Sequence, residues 1–162
     1  MKRCRMISID SSTTRSAYAI FDNGIYKESS LIECTGLMDD RFMEMSKKLL
    51  FLLIEYKPDI VYIEDTVVPR NVQTQRFLTR LQGVIYAYSI FHNCEFNTIR
   101  PTEWRKYVGL DQGRKKREQL KAEAIKMVKE KFNLEVNDDE AEAVLIGLAV
   151  INKFDILEKK RA

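Results

Sequence analysis

The sequence predicts a single α/β domain built on a five-stranded mixed sheet, with three antiparallel strands first and helices flanking the sheet. Three apolar runs joined by turn residues at 11–14 and 22–24 predict the antiparallel strands. Beyond them, segments with apolar residues at helical spacing alternate with two further strand patterns. At 162 residues, of which 45% are hydrophobic and 31% charged, the chain has the size and composition of one globular domain, residues 1–162.

The antiparallel strands are expected at residues 6–10, 17–21 and 25–34, where apolar residues alternate or cluster around the two turns. A helix from residue 39 or 40 to 56 follows, because apolar residues recur there at helical spacing before a proline stops the pattern. The short β-branched run at 60–63 predicts a fourth, buried strand.

A long helical pattern covers residues 71–91, and its second half, from Gly83 on, is apolar on nearly every face. One face of a sheet cannot cover such a helix. We therefore expect this helix to pack on the sheet with one side and on a partner with the other.

The last third of the sequence carries a local basic segment. A fifth strand is expected at 94–99 and a short helix from Pro101, in which Trp104 anchors the core. Basic residues at a helix start oppose the dipole and attract phosphate, although a solvated charged face explains the same residues. The next helix, which continues to about residue 131, is expected to open with Arg114, Lys115, Lys116 and Arg117.

Carboxylates stand at the ends of three separate elements. Asp10 ends the first strand, Glu64 ends the fourth, and an acidic run at 137–142 opens a last helix. Taken singly, they have structural explanations: a turn residue, a solvated strand end, and a helix N-terminus that complements the macrodipole. Together they would repel one another unless a cation lay between them, and Mg²⁺ ions prefer oxygen ligands of this kind.

Composition argues against several other classes. The three cysteines are widely spaced and His92 is the only histidine, so an imidazole-rich or zinc-type metal site is not expected. No apolar run approaches the length of a membrane span, and the net charge is only +3. We expect a cytoplasmic protein with a local basic patch.

These motifs resemble the RuvC-type Holliday junction resolvases of the ribonuclease H superfamily. The resemblance rests on Ile9 and Asp10 with their hydroxyl-rich turn, on residues 62–64, and on residues 139–147, which are similar to the family's acidic last helix. It implies a ribonuclease H-like fold, a homodimer, and an endonuclease that makes paired cuts in four-way junctions and other branched DNA, leaving 5′ phosphates. It also implies two Mg²⁺ ions per site, replaceable by Mn²⁺, and no other cofactor.

The same resemblance implies a role for individual residues. Lys115 or Lys116 would be the lysine that approaches the scissile phosphate, and the spacing after Gly109 favours Lys115. The metal site would be formed by Asp10, Glu64, Asp139 and Glu142. Contacts to DNA are expected from Arg70, Arg114, Lys115, Lys116 and Arg117.

The sequence also departs from the family pattern. Glu142 stands where the family most often carries an aspartate, and Asp138 beside Asp139 leaves open which of the two is the ligand. The small size of the chain suggests a bacteriophage member.

Two other function classes stay open. A branched-DNA-binding scaffold without catalysis would explain the basic segment, but a pure binder gains nothing from acids that face phosphates. Residues 10–14 also resemble the first phosphate loop of actin-like ATPases and sugar kinases, although the chain is too short for their second lobe.

Overall fold

The computed structural model describes residues 4–66, 71–110 and 113–161, with side chains up to residue 155. These residues form five strands and five helices, in much the order that the sequence predicts. In chain order the elements are β1 (Arg5–Asp10), β2 (Arg15–Asp22), β3 (Ile25–Glu33), α1 (Met38–Tyr56), β4 (Ile60–Glu64), α2 (Val72–His92), β5 (Glu95–Ile99), α3 (Pro101–Val108), α4 (Arg117–Phe132) and α5 (Asp138–Arg161).

The strands form one mixed sheet in the order β3-β2-β1-β4-β5. The pairs β1/β2 and β2/β3 are antiparallel, whereas β4 is parallel to both β1 and β5. This confirms the predicted five-stranded sheet with three antiparallel strands first. In the parallel pair Ile9 lies opposite Ile63, so Asp10 and Glu64 end neighbouring strands at the same edge of the sheet.

Side chains of a strand point alternately to the two faces of the sheet. Helices cover both faces. Ile7 and Ile9 of β1 are buried in the core beneath α1 and α2. Met6 and Ser8 point the other way, towards α5. The Ser8 hydroxyl is fully buried and donates a hydrogen bond to the backbone carbonyl of Ala143 at 2.7 Å, which fixes α5 against the central strand.

Small residues allow α5 to lie very close to the sheet. Ala17 and Ala19 of β2 are fully buried in the core that α5 shares. A Cβ atom at Gly147 would lie 2.1 Å from Cε2 of Phe21, so only glycine fits where α5 crosses this ring. The first turns of α5, which carry the acidic run, are thereby held beside the end of β1.

The prediction for the basic segment is wrong in one respect. Helix α4 begins at Arg117, so Arg114 and Lys115 precede the helix and Lys116 is its N-cap. The backbone N–H of Lys116 is satisfied by the side-chain oxygen of Gln119 at 2.9 Å. The three basic residues therefore lie on the approach to the helix and do not oppose its dipole from within the first turn.

The remaining expectations about packing can be checked directly. Trp104 is fully buried in the core, as predicted. The long helix α2 leaves Tyr86, Ile90 and Phe91 exposed within this single chain. None of the helices in the described ranges is long and apolar enough to cross a membrane.

Candidate metal centre

Three carboxylates meet where α5 begins above the end of β1. Asp139 and Glu142 are three residues apart on α5 and so lie on one face of the helix. Asp10 approaches them from the sheet, and one carboxylate oxygen from each of the three residues lies within 4.8 Å of the other two. The backbone N–H of Glu140 is capped by Asn137 Oδ1 at 2.9 Å, which fixes the start of the helix and therefore the position of both its acids.

Glu64 is the fourth acid, and it reaches the group from the neighbouring strand β4. Its Oε2 atom accepts a hydrogen bond from the indole Nε1–H of Trp104 at 2.6 Å. Among the nearby charges, that of Glu64 raises the pKa of Asp10 most, ahead of Glu142 and Asp139. Asp10, Asp139 and Glu142 thus form the close group, and Glu64 interacts electrostatically with Asp10, so three elements, β1, β4 and α5, supply the four predicted acids.

Burial and mutual repulsion disfavour the ionised forms of these acids. Burial is the main cause that raises the pKa of Asp10 well above its usual value, and the other three acids raise it further. The pKa of Glu64 rises from 4.5 to about 7, chiefly through burial and against the Trp104 hydrogen bond, which lowers it. Burial likewise raises the pKa of Glu142. A divalent cation among these oxygens would relieve the repulsion and favour the ionised forms.

Basic side chains contact the outer sides of the same acids. The Arg15 guanidinium lies 2.6 Å from Asp139 Oδ2, and that of Arg105 lies 3.5 Å from Glu142 Oε1. Lys121 lies 3.8 Å from Asp139 Oδ1. These three cations were not predicted as part of the site. Arg15 begins β2 beside the end of β1, so the predicted hairpin was a usable signal for it, whereas the contacts of Arg105 and Lys121 depend on tertiary packing.

The structure also separates the two adjacent aspartates. Asp139 belongs to the carboxylate group, whereas Asp138 pairs with Lys121 and, at 3.5 Å, with Arg15. The hydrogen bond from Lys121 lowers the pKa of Asp138, so this carboxylate stays ionised with its charge already neutralised. Both aspartates contact Arg15 and Lys121, but Asp139 in addition has a carboxylate oxygen within 4.8 Å of those of Asp10 and Glu142, which gives it the geometry of a ligand.

The predicted DNA-binding residues are only partly gathered at the site. Arg117 is exposed at the start of α4, and its charge lowers the pKa of both Glu64 and Glu142, which places it near the acids. Lys115 is half-buried, with its Nζ 2.6 Å from Glu123 Oε1. Arg114 and Lys116 are exposed on the segment before α4. Arg70 lies outside the described residues.

The donor set suits a hard divalent ion. All the candidate ligand atoms are carboxylate oxygens, and Mg²⁺ and Mn²⁺ favour oxygen ligands over the nitrogen and sulfur that zinc prefers. The side chains of Asp139 and Glu142 are 18% and 13% exposed, so the group is largely buried but still reaches the surface. The residues present thus fit the metal that the sequence analysis expected.

The strand order, the helices on both faces and the acids at the ends of β1 and β4 define a ribonuclease H-like fold. Solved structures that resemble the chain over nearly its whole length include Holliday junction resolvases, which confirms the predicted resemblance at the level of fold. The sequence itself matches no family model and no curated protein.

Three of these structures illustrate the likeness. RuvC of Thermus thermophilus, solved with a Holliday junction substrate, has a TM-score of 0.73 and 12% identity over 94% of this chain and 96% of its own. The Fowlpox virus resolvase, solved with Holliday junction DNA, has a TM-score of 0.65 and 16% identity over 93% and 98%. The yeast mitochondrial Holliday junction resolvase has a TM-score of 0.69 and 16% identity over 98% and 83%.

Proposed function

We propose that this protein is a metal-dependent, structure-selective endonuclease that resolves Holliday junctions and also cleaves other branched DNA. The observation that carries the proposal is the convergence of four carboxylates from β1, β4 and α5 in a fold shared with junction resolvases. Recombination, repair or the processing of phage DNA is the setting in which such an activity would serve.

The four acids supply the metal ligands of the proposed chemistry. Asp10, Glu64, Asp139 and Glu142 would together hold two Mg²⁺ ions. The ions, when bound, would lower the pKa of a water and stabilise the leaving 3′ oxygen, which yields 5′-phosphate ends. The protein would hold these oxygens in place and exclude water on the side of the site that faces the sheet.

The basic residues around the acids would hold the DNA backbone. Lys115, Arg114, Lys116 and Arg117 lie on the segment that leads into α4, and Arg117 is close enough to act on the pKa of two of the acids. Lys115 would exchange its contact with Glu123 for a phosphate oxygen. Lys115→Ala should slow cleavage and reduce the salt dependence of binding by about one counterion, measured as the slope of log affinity against log salt.

A second copy of the chain would cover the exposed apolar face of α2. Within the single chain Tyr86, Ile90 and Phe91 of α2 are 55%, 66% and 86% exposed. Ile90 lies one helical turn from Tyr86 and next to Phe91, and adjacent apolar side chains of this size are unusual on a monomer surface. A two-fold dimer would bury them and hold two metal sites at a fixed separation, as paired cuts across a junction require.

The dimer can be tested apart from the chemistry. Ile90→Asp should convert the protein to a monomer in size-exclusion chromatography with light scattering at micromolar concentration, because an unpaired charge would enter the interface. Phe154→Asp is the matched control, since Phe154 is an exposed aromatic residue on α5, away from α2. A wild type that is already monomeric would contradict the proposed dimer.

The nuclease itself is tested with a labelled immobile four-way junction, with linear, forked and three-way DNA as controls, in Mg²⁺ and in EDTA. Wild-type protein should make symmetric, Mg²⁺-dependent nicks near the crossover. Asp10→Asn should abolish them while binding is kept or improved, because one negative charge facing phosphate is removed. Junction binding without any cut by the wild type would instead support a non-catalytic scaffold, and turnover of ATP would support a kinase-like role.

A further inference from the structure

Two consecutive residues of α3 each contact one of the clustered acids. The indole N–H of Trp104 donates to Glu64 Oε2 at 2.6 Å, and Arg105 lies 3.5 Å from Glu142 Oε1. Glu64 belongs to β4 and Glu142 to α5, so the short helix connects the two sides of the carboxylate group.

The tryptophan is held rigidly enough to fix the carboxylate that it contacts. Its side chain is completely buried in the core between the sheet and α5. The Arg105 guanidinium lies 4.8 Å from the ring centroid, a cation–π distance that restrains the ring from its other side. An indole N–H is only a donor, so it cannot itself bind a metal or turn to serve as an acceptor.

From this geometry we infer that Trp104 is a positioning residue for the proposed nuclease, which holds Glu64 Oε2 so that Oε1 faces the metal site. The inference rests on the proposed function. Among four acids that repel one another, an unrestrained glutamate would turn its charge away from the group. A fixed donor on one oxygen prevents that rotation. Removal of such a donor commonly lowers the metal affinity of the site.

A purely structural explanation has to be distinguished from this role. A buried indole N–H needs an acceptor, and Glu64 would satisfy it even if the hydrogen bond did nothing for metal binding. Under that explanation, removal of the N–H with the ring retained changes stability and leaves metal affinity as it was. Under the positioning role, metal affinity falls although the fold is kept.

The chain contains one tryptophan, so biosynthetic incorporation of an analogue changes position 104 alone. Benzothienylalanine replaces the indole N–H by sulfur and keeps the bicyclic shape, whereas fluorotryptophan keeps the N–H and serves as the matched control. Mn²⁺ affinity is measured without DNA from the electron paramagnetic resonance of free Mn²⁺, and thermal unfolding shows that each protein is folded. Trp104→Phe provides a genetically encoded second variant.

We expect the benzothienylalanine protein to bind Mn²⁺ about 10–100-fold more weakly than wild type, with fluorotryptophan close to wild type. Equal Mn²⁺ affinity in the folded benzothienylalanine and wild-type proteins would overturn the role of Trp104 and leave the nuclease proposal intact. A wild type that binds no Mn²⁺, or that binds it no more tightly than Asp10→Asn does, would overturn both the role of Trp104 and the nuclease proposal.

Discussion

The carboxylate group should make the metal-free protein less stable as the pH rises. Burial raises the pKa of Glu64 from 4.5 to about 7, so between these values the folded protein keeps a proton that the unfolded chain has released. The folded state then binds more protons than the unfolded state, and the free energy of unfolding falls with increasing pH. Asp10 and Glu142 act in the same direction, because their pKa values are raised as well.

The size of the effect follows from the pKa of Glu64. A difference of one pH unit corresponds to about 1.4 kcal/mol, so Glu64 alone lowers the free energy of unfolding by about 3 kcal/mol across this window. For a domain of this length the midpoint of thermal unfolding should fall by about 6–12 °C. The loss begins near pH 4.5 and is complete a little above pH 7.

The assay is thermal unfolding in EDTA at a series of pH values across the window, for wild type and for Glu64→Gln. The glutamine cannot ionise, so the variant should show a shallower fall than wild type and become the more stable protein at the alkaline end. Addition of Mg²⁺ should restore the wild type there and stabilise the variant less, because the variant keeps Asp10, Asp139 and Glu142 but lacks the fourth carboxylate. A wild-type midpoint that is constant or rises across the window in EDTA would refute the argument.

Two further predictions concern helix α5 and its neighbours. Gly147→Ala should destabilise the protein by about 1–3 kcal/mol in chemical unfolding, because its Cβ would overlap Phe21, whereas Gly83→Ala, whose Cβ meets nothing within 4 Å, should stabilise it by about 0.5–1 kcal/mol. Asp139→Asn should abolish junction cleavage while Asp138→Asn retains it, since only Asp139 joins the carboxylate group. Loss of cleavage in both aspartate variants at wild-type stability would contradict that assignment.

The sequence was informative where a pattern is local. Apolar runs separated by turn residues predicted the first three strands. Asp10 and Glu64 stood out because each ends a predicted strand, and their assignment as metal ligands came from the resemblance to the resolvases. The adjacent aspartates could not be separated in this way, since both open the same helix and only their tertiary partners differ.

Other features were beyond reach of the sequence for physical reasons. The basic segment was expected inside α4, yet the helix begins at Arg117, because basic residues are neither strong starting nor stopping signals. Trp104 was predicted as a core residue, which is confirmed, but its hydrogen bond to Glu64 depends on how α3 meets β4. Contacts of this kind arise from packing between elements, and no periodicity encodes them.

The hydrogen bond from Ser8 to the carbonyl of Ala143 joins two residues that are far apart in the chain. Ser8 lies two residues before Asp10, and Ala143 directly follows Glu142. The carboxylates come from both halves of the sequence, and they meet only when α5 has docked on β1 through this contact and the close approach at Gly147. A chain that is partly folded, or from which the last helix has detached, has no cluster that could hold a divalent ion. The proposed nuclease activity would therefore appear only once folding is finished.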